Sequence, residues 1–169
     1  MTTRIKQSKN SSSCISCVSC MATNTTVKEF KEFIKPRIRG PFPDLYLYSY
    51  LLSKGYTVGI GIDFKNGATF FNKNTTIKFK LQLYESPAYL VVKSHRVDKV
   101  LHAVYWDGEH IFDPNPYMPD NPDLSLYTIL HWYPITKIDY PKGFHYIKPK
   151  KHHIKKRIKE RGVCQDKKK

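Results

Sequence analysis

No apolar run in the sequence comes near the ~20 residues that a membrane-spanning helix requires. The opening residues, MTTRIKQSKNSSS, lead into Cys and Ser rather than into an apolar stretch. Neither a secretory signal nor an oxidising compartment is therefore expected. Acid is scarce: 14 Asp+Glu stand against 29 Lys+Arg, a formal net charge of +15. Cysteine is limited to four residues, with Cys14, Cys17 and Cys20 in one short segment and Cys164 alone near the end. That distribution gives no disulfide framework. The chain is rich instead in apolar and aromatic residues, at 40% and 14%. That is too much for a disordered chain, and 169 residues suit one ordinary domain rather than two.

The charge is uneven. Residues 148–169 hold 11 Lys+Arg against 2 Asp+Glu, net +9, and residues 1–147 hold 18 against 12, net +6. A mildly basic domain, 1–147, followed by a basic and disordered tail, 148–169, is the expected organisation. The tail reads either as a solvated charge run or as a segment attracted nonspecifically to nucleic acid or an acidic partner. It has almost no aromatics for base stacking.

Along the chain, residues 1–13 read as loop. Ser13 opens a helix with Cys14, Cys17, Val18 and Met21 at helical spacing, ending near Asn24. Thr26 with Glu29 reads as a capping box for a second helix, carrying Val27, Phe30, Phe33 and Ile34 and closed by Pro36. Asp44 caps a third, with Leu45, Tyr48, Leu51 and Leu52 on one face and Gly55 as its stop. The period then changes. Strands are expected over 56–64, over 77–83 (Ile77, Phe79, Leu81, Leu83), after Pro87 (AYLVV), over 100–106, over 110–113 and over 127–138 with a break at Pro134. Residues 114–123 read as a Pro/Asn/Asp loop. Helices first, then antiparallel strands, is an α+β domain. No internal repeat is present.

Asp107-Gly108 between two β-runs signals a two-residue hairpin. The ladder then pairs Trp106 with Glu109, Tyr105 with His110 and, further along, His102 with Asp113. Directly opposed residues share a face, with Cβ atoms roughly 4.5–5.5 Å apart. An imidazole and a carboxylate are thereby placed to hydrogen-bond at the rim of a sheet. A surface ion pair would look the same. Asp107 is an alternative partner for His102, although a turn suits it better.

Cys14 adds a nucleophile. It stands in the expected first turn of a helix, where the positive end of the dipole favours a thiolate. A Cys at a helix start with a His–Asp pair on a distant sheet suits nucleophilic acyl transfer. Cys17 and Cys20 read as buried helix residues, or with Cys14 and Cys164 or a His as a metal site. Zinc usually takes two well-spaced ligand pairs, and the four-Cys iron–sulfur spacing is absent. No metal or cofactor is expected.

These residues resemble the papain-like cysteine peptidases, in the branch with the bacteriocin-leader-processing (double-glycine) peptidases and many small phage and bacterial relatives. The first family motif runs Gln, a few residues, Asp-Cys-Gly-x-Ala-Cys-Leu-Ala-Met, a turn and Glu-Glu-Val. Here Gln7 is followed by SKNSSS and CISCVSCMATNTTVKEF. The later motif, Gly-His-Ala-Val, a turn and Asp-Pro, is matched by LHAVYWDGEHIFDPNP, preceded by ESPAYLVVKS. Ser13 and Ile15 stand where Asp and Gly are usual, and Leu101 replaces the Gly before His. The resemblance covers about residues 7–139, with 35–85 matching only in outline.

The resemblance implies a papain-like fold, with N-terminal helices on an antiparallel sheet, and hydrolysis of a peptide or amide bond in a peptide or protein substrate. Cys14 would be the nucleophile, His102 the base and acid, and Asp113 the orienter. Gln7 and the Cys14 backbone N–H would hold the oxyanion. Phage relatives imply a cytoplasmic setting, the host cell's if phage-encoded; from the lack of a long apolar run, no membrane contact is expected. A non-catalytic basic binding module that keeps the fold, and a transglutaminase-like acyltransferase with the same triad, remain alternatives.

Deleting residues 148–169 is expected to leave turnover of a small neutral substrate unchanged while weakening nucleic-acid binding. Affinity measured across a salt series checks this, and an unchanged salt slope in the truncated protein would exclude the tail.

Overall fold

The first helix, α1 (Cys14–Thr23), is buried almost all round. Cys17, Val18, Ser19, Cys20, Met21 and Ala22 are all buried. Two of its hydroxyls turn back on the helix, Ser19 Oγ to Ile15 O and Thr23 Oγ1 to Ser19 O, both at 2.8 Å. A polar side chain can therefore sit in a core helix without an unpaired donor. Asn24 ends the helix in the left-handed region (φ 52°), as its position led us to expect.

This computed structural model describes residues 2–9, 13–34, 43–69 and 85–139. Helix α2 spans Val27–Ile34 and α3 spans Pro43–Ser53. Thr26 caps α2, its Oγ1 accepting from Glu29 N at 3.2 Å. The Glu29 carboxylate pairs with Lys54 in the turn after α3. Helix α3 begins at Pro43, so Asp44 lies inside it rather than at the expected position before its first residue. The expected face of α3 is also rotated: Leu47, Tyr50 and Leu51 are buried, whereas Leu45 and Leu52 are exposed. Tyr50 decides that rotation by packing edge-on against Phe30 (4.9 Å between ring centres) and sharing a hydrogen bond with Thr25 Oγ1 (2.7 Å). Gly55 (φ 81°) stops the helix as expected.

The strands are β1 (Tyr56–Val58), β2 (Ile62–Ala68), β3 (Ala88–Lys93), β4 (Leu101–Trp106), β5 (Ile111–Phe112) and β6 (Ile129–Lys137). They form one antiparallel sheet in the order β1-β6-β3-β4-β5, with β2 also on β6. The single strand expected over 56–64 is two, which take successive stretches of β6. Strand β6 runs through Pro134 without a break. The imide needs no donor there because its carbonyl accepts from Gly59 N (2.8 Å) and the next N–H, of Ile135, donates to Pro87 O (2.7 Å). The strand expected over 77–83, Pro36 and the tail 148–169 lie outside the described residues.

Residues of β3 and β4 alternate between two cores. Tyr89, Val91, Ala103 and Tyr105 pack with α1 and α3; Leu90, Val92, Val104 and Trp106 pack with Leu124, Tyr127, Ile129 and Trp132. The sheet therefore lies between a helical layer and the long connection from β5 to β6. A mixed α+β fold is what the described residues form.

The β4–β5 hairpin corrects the sequence reading. Trp106 pairs with Ile111 and Tyr105 with Phe112, so the loop has four residues, 107–110. Asp107 is the cause: its carboxylate accepts from Glu109 N (2.9 Å) and His110 N (2.7 Å). That side-chain turn outcompetes the two-residue hairpin. Gly108 has φ 102°, and a Cβ there would lie 2.4 Å from Glu85 O. Gly108→Ala is expected to destabilise the domain by about 1–3 kcal/mol. Urea denaturation checks it, and an unchanged midpoint would mean the loop relaxes freely.

Candidate active site

Cys14 is the first residue of α1, and its thiol meets His102 at the start of β4. Burial works against ionising the thiol. The hydrogen bond and charge of His102, with the N–H groups of Ala103 and Ile15, outweigh it, and the pKa falls below the ordinary thiol value. His102 moves the other way. Burial disfavours its charge, yet the bonds to Asp113 and Cys14 raise it to about 9. Both shifts favour thiolate and imidazolium, a coupled pair.

Asp113 is fully buried and both its oxygens are engaged. Oδ1 meets His102 Nε2 at 2.7 Å and accepts from Asn115 N at 2.6 Å; Oδ2 accepts from Tyr127 Oη at 2.7 Å. With Nε2 committed to the carboxylate, the other ring nitrogen is left for Cys14. The hairpin register differs by two residues from the expected one, so Asp113 is not directly opposite His102. A shift of two preserves the face, because strand side chains alternate with period two, and the pair still meets.

Gln7 reaches the same place from the N-terminal segment. Its backbone N–H donates to Pro114 O at 2.8 Å. Its side chain lines a cavity of about 330 Å³ together with Cys14, His102, Asn115 and Arg96. Gln7 Oε1 is buried with no hydrogen-bond partner among the described residues. A second cavity, of about 300 Å³, also borders the Cys14–His102 pair and is walled by Ile15, Tyr89, Val91, His131 and Tyr133. Leu101 borders both.

The expected site residues Gln7, Cys14, His102 and Asp113 are thus brought together, and the alternatives are set apart. Asp107 is occupied in its turn, and His110 is half-exposed beside it rather than paired with Tyr105. The three clustered thiols do not converge. Cys17 enters the core under α3, while Cys20 enters a separate cluster with Phe30 and Tyr50. Burial, reinforced by neighbouring thiols, pushes Cys17 up to about 12, and burial raises Cys20 to about 11. Among the described residues, no group of three or more His, Cys, Asp or Glu is placed to hold a metal ion. Cys164 lies outside them.

Two contributors were missed in the sequence. Tyr127 read as the start of a strand, yet its hydroxyl holds Asp113; burial, then the Asp113 charge, raises its pKa and keeps it a donor. Arg4 read as part of a polar loop, yet its Nε donates to Asp113 O at 2.7 Å. Neither role leaves a local pattern, since the partners lie 14 and 109 residues away. Compared with known proteins, the chain matches no family model and no curated sequence. No helix among the described residues is long and apolar enough to cross a membrane.

Iodoacetamide at pH 6 is expected to alkylate Cys14 ahead of Cys17 and Cys20. Because the Cys14 pKa is lowered, its rate should rise at lower pH than for a free thiol near 8.5. His102→Ala should move that rise upward and slow labelling at pH 6. Peptide mapping of the alkylated protein checks this, and preferential labelling of Cys17 or Cys20 would refute it.

Proposed function

We propose that the chain is a papain-like cysteine peptidase-like hydrolase that cleaves a peptide or amide bond. The observation that carries this reading is the line from Cys14 at a helix start, through His102, to the buried carboxylate of Asp113. Helices on one face of an antiparallel sheet, with the thiol on the first helix and the imidazole on a strand, suit the same placement.

In the mechanism, Cys14 Sγ attacks the carbonyl carbon as thiolate, and the C=O electron pair moves to oxygen. The Cys14 backbone N–H and the Gln7 side-chain amide stabilise that oxyanion, an effect usually worth about 3–4 kcal/mol per donor. Collapse breaks the C–N bond. The leaving nitrogen takes its proton from the His102 imidazolium, leaving a thioester on Cys14. His102 then removes a proton from water, whose oxygen attacks the thioester; the carboxylic product leaves and the thiolate returns. Asp113 holds the imidazole in orientation and stabilises its charged form throughout. Tyr127, neutral and donating, keeps the second carboxylate oxygen from turning away.

Asp113→Asn is expected to lower peptide turnover by about 10²-fold or more with the fold retained, because an amide neither fixes the tautomer nor stabilises the imidazolium. Steady-state kinetics with far-UV circular dichroism check this, and equal rates would remove Asp113 from the mechanism. Release of the acyl group to water, or to an added amine in its place, separates hydrolysis from acyl transfer. Failure of an activity-based thiol probe to label Cys14 would favour a non-catalytic binding module.

A further inference from the structure

Arg4 is unusually buried for an arginine in a loop. Its side chain is only 8% exposed. Its guanidinium donates to four backbone carbonyls of the loop after β5: Asp113 O from Nε (2.7 Å), Asn115 O (2.8 Å) and Met118 O (3.0 Å) from Nη2, and Pro119 O (2.6 Å) from Nη1. Nη1 also meets Asp120 Oδ1 at 2.7 Å. Carbonyl dipoles that converge on one point repel each other unless a cation sits there. A planar fork with five N–H groups can serve them together, which a lysine ammonium cannot.

The loop is held where it matters. Asp113 and Asn115 form a side-chain turn in which Asp113 Oδ1 accepts from Asn115 N. Arg4 takes the carbonyls of both residues, so it braces the turn that aims the carboxylate at His102. Arg4 also stands three residues before Gln7, in a segment pinned on both sides. Ile5 packs against the helical clusters, and Gln7 N donates to Pro114 O in that same loop.

We propose that Arg4 is a positioning residue that joins Gln7 and Asp113 into one unit, so that the oxyanion donor and the orienting carboxylate are set together by the N-terminal segment. The proposal rests on the reading of Cys14, His102 and Asp113 as a reacting group. Arg4 touches no reacting atom. Its removal frees the carbonyls of residues 113 and 115, and the carboxylate and the Gln7 amide then drift independently of Cys14.

The test compares Arg4→Ala, Arg4→Lys, Gln7→Ala and the Arg4→Ala/Gln7→Ala pair with wild type, using Lys6→Ala as a control. Lys6 is half-exposed and contacts Asp120 at 3.1 Å. One readout is the pH profile of Cys14 alkylation by iodoacetamide. The other is the rate of Cys14 acylation by p-nitrophenyl acetate, with folding followed by circular dichroism. Both Arg4 variants are expected to shift the alkylation profile to higher pH and to slow acylation by about 10²-fold, the scale of a misplacement near 1 Å. Lys6→Ala should do neither. Arg4→Ala should cost less in the Gln7→Ala background than in wild type, because part of its effect runs through Gln7. A folded Arg4→Ala protein with the wild-type alkylation profile and fully multiplicative effects with Gln7→Ala would overturn the proposal. If Arg4→Ala does not fold, Arg4→Lys decides: wild-type profile and rate there would overturn it equally. If wild type forms no acyl-enzyme, the hydrolase reading fails, while the alkylation profiles still decide the role of Arg4.

Discussion

Asp113 has left water entirely, and three hydrogen bonds take its place: from Tyr127 Oη, from Asn115 N and with His102 Nε2. A buried carboxylate with an unmet oxygen would be costly, and removing one partner of a buried charge pair commonly costs about 3–5 kcal/mol. The local structure follows from that constraint. The chain after β5 turns at once so that Asn115 N can reach back. The 3₁₀ turn Leu124–Leu126 delivers Tyr127 to the carboxylate. The imidazole of His102 is fixed at one nitrogen and offers the other to Cys14. The raised His102 and lowered Cys14 pKa values are consequences of this chain of contacts.

The site also depends on where α1 ends up. A helix buried along six consecutive residues has little freedom to roll, so the direction of Cys14 is decided by its neighbours. Cys17, Cys20 and Cys14 face three different surroundings within one helix: an apolar core, an aromatic cluster and the imidazole. The same residue type is consequently held as a thiol at two positions and biased toward thiolate at the third. Desolvation raises the first two, and at Cys14 it is outweighed by the imidazole and two N–H groups.

The hairpin illustrates how a wrong register can still place the right residues. Asp-Gly read as a two-residue turn because that pair favours positive φ. In the structure, the Asp107 carboxylate collects two N–H groups and lengthens the loop. A one-residue error would have put His102 and Asp113 on opposite faces. An even shift keeps them together, and the imidazole closes the gap, with Nε2 at 2.7 Å from the carboxylate.

The sequence by itself determined the helix spans to within a residue or two, the left-handed stop at Asn24, most strands of the sheet and the shared face of His102 and Asp113. Each of these rests on local spacing or on a single residue's backbone preference, so neighbours in sequence suffice to read it. Tertiary structure alone decided which face of α3 is buried, whether Pro134 breaks a strand, and the parts played by Tyr127 and Arg4. A helix rolls toward whatever aromatic ring packs against it, and a proline is tolerated wherever its missing donor is not needed. Arg4 finds its acceptors more than a hundred residues away, in a loop whose carbonyls converge only once the sheet is built.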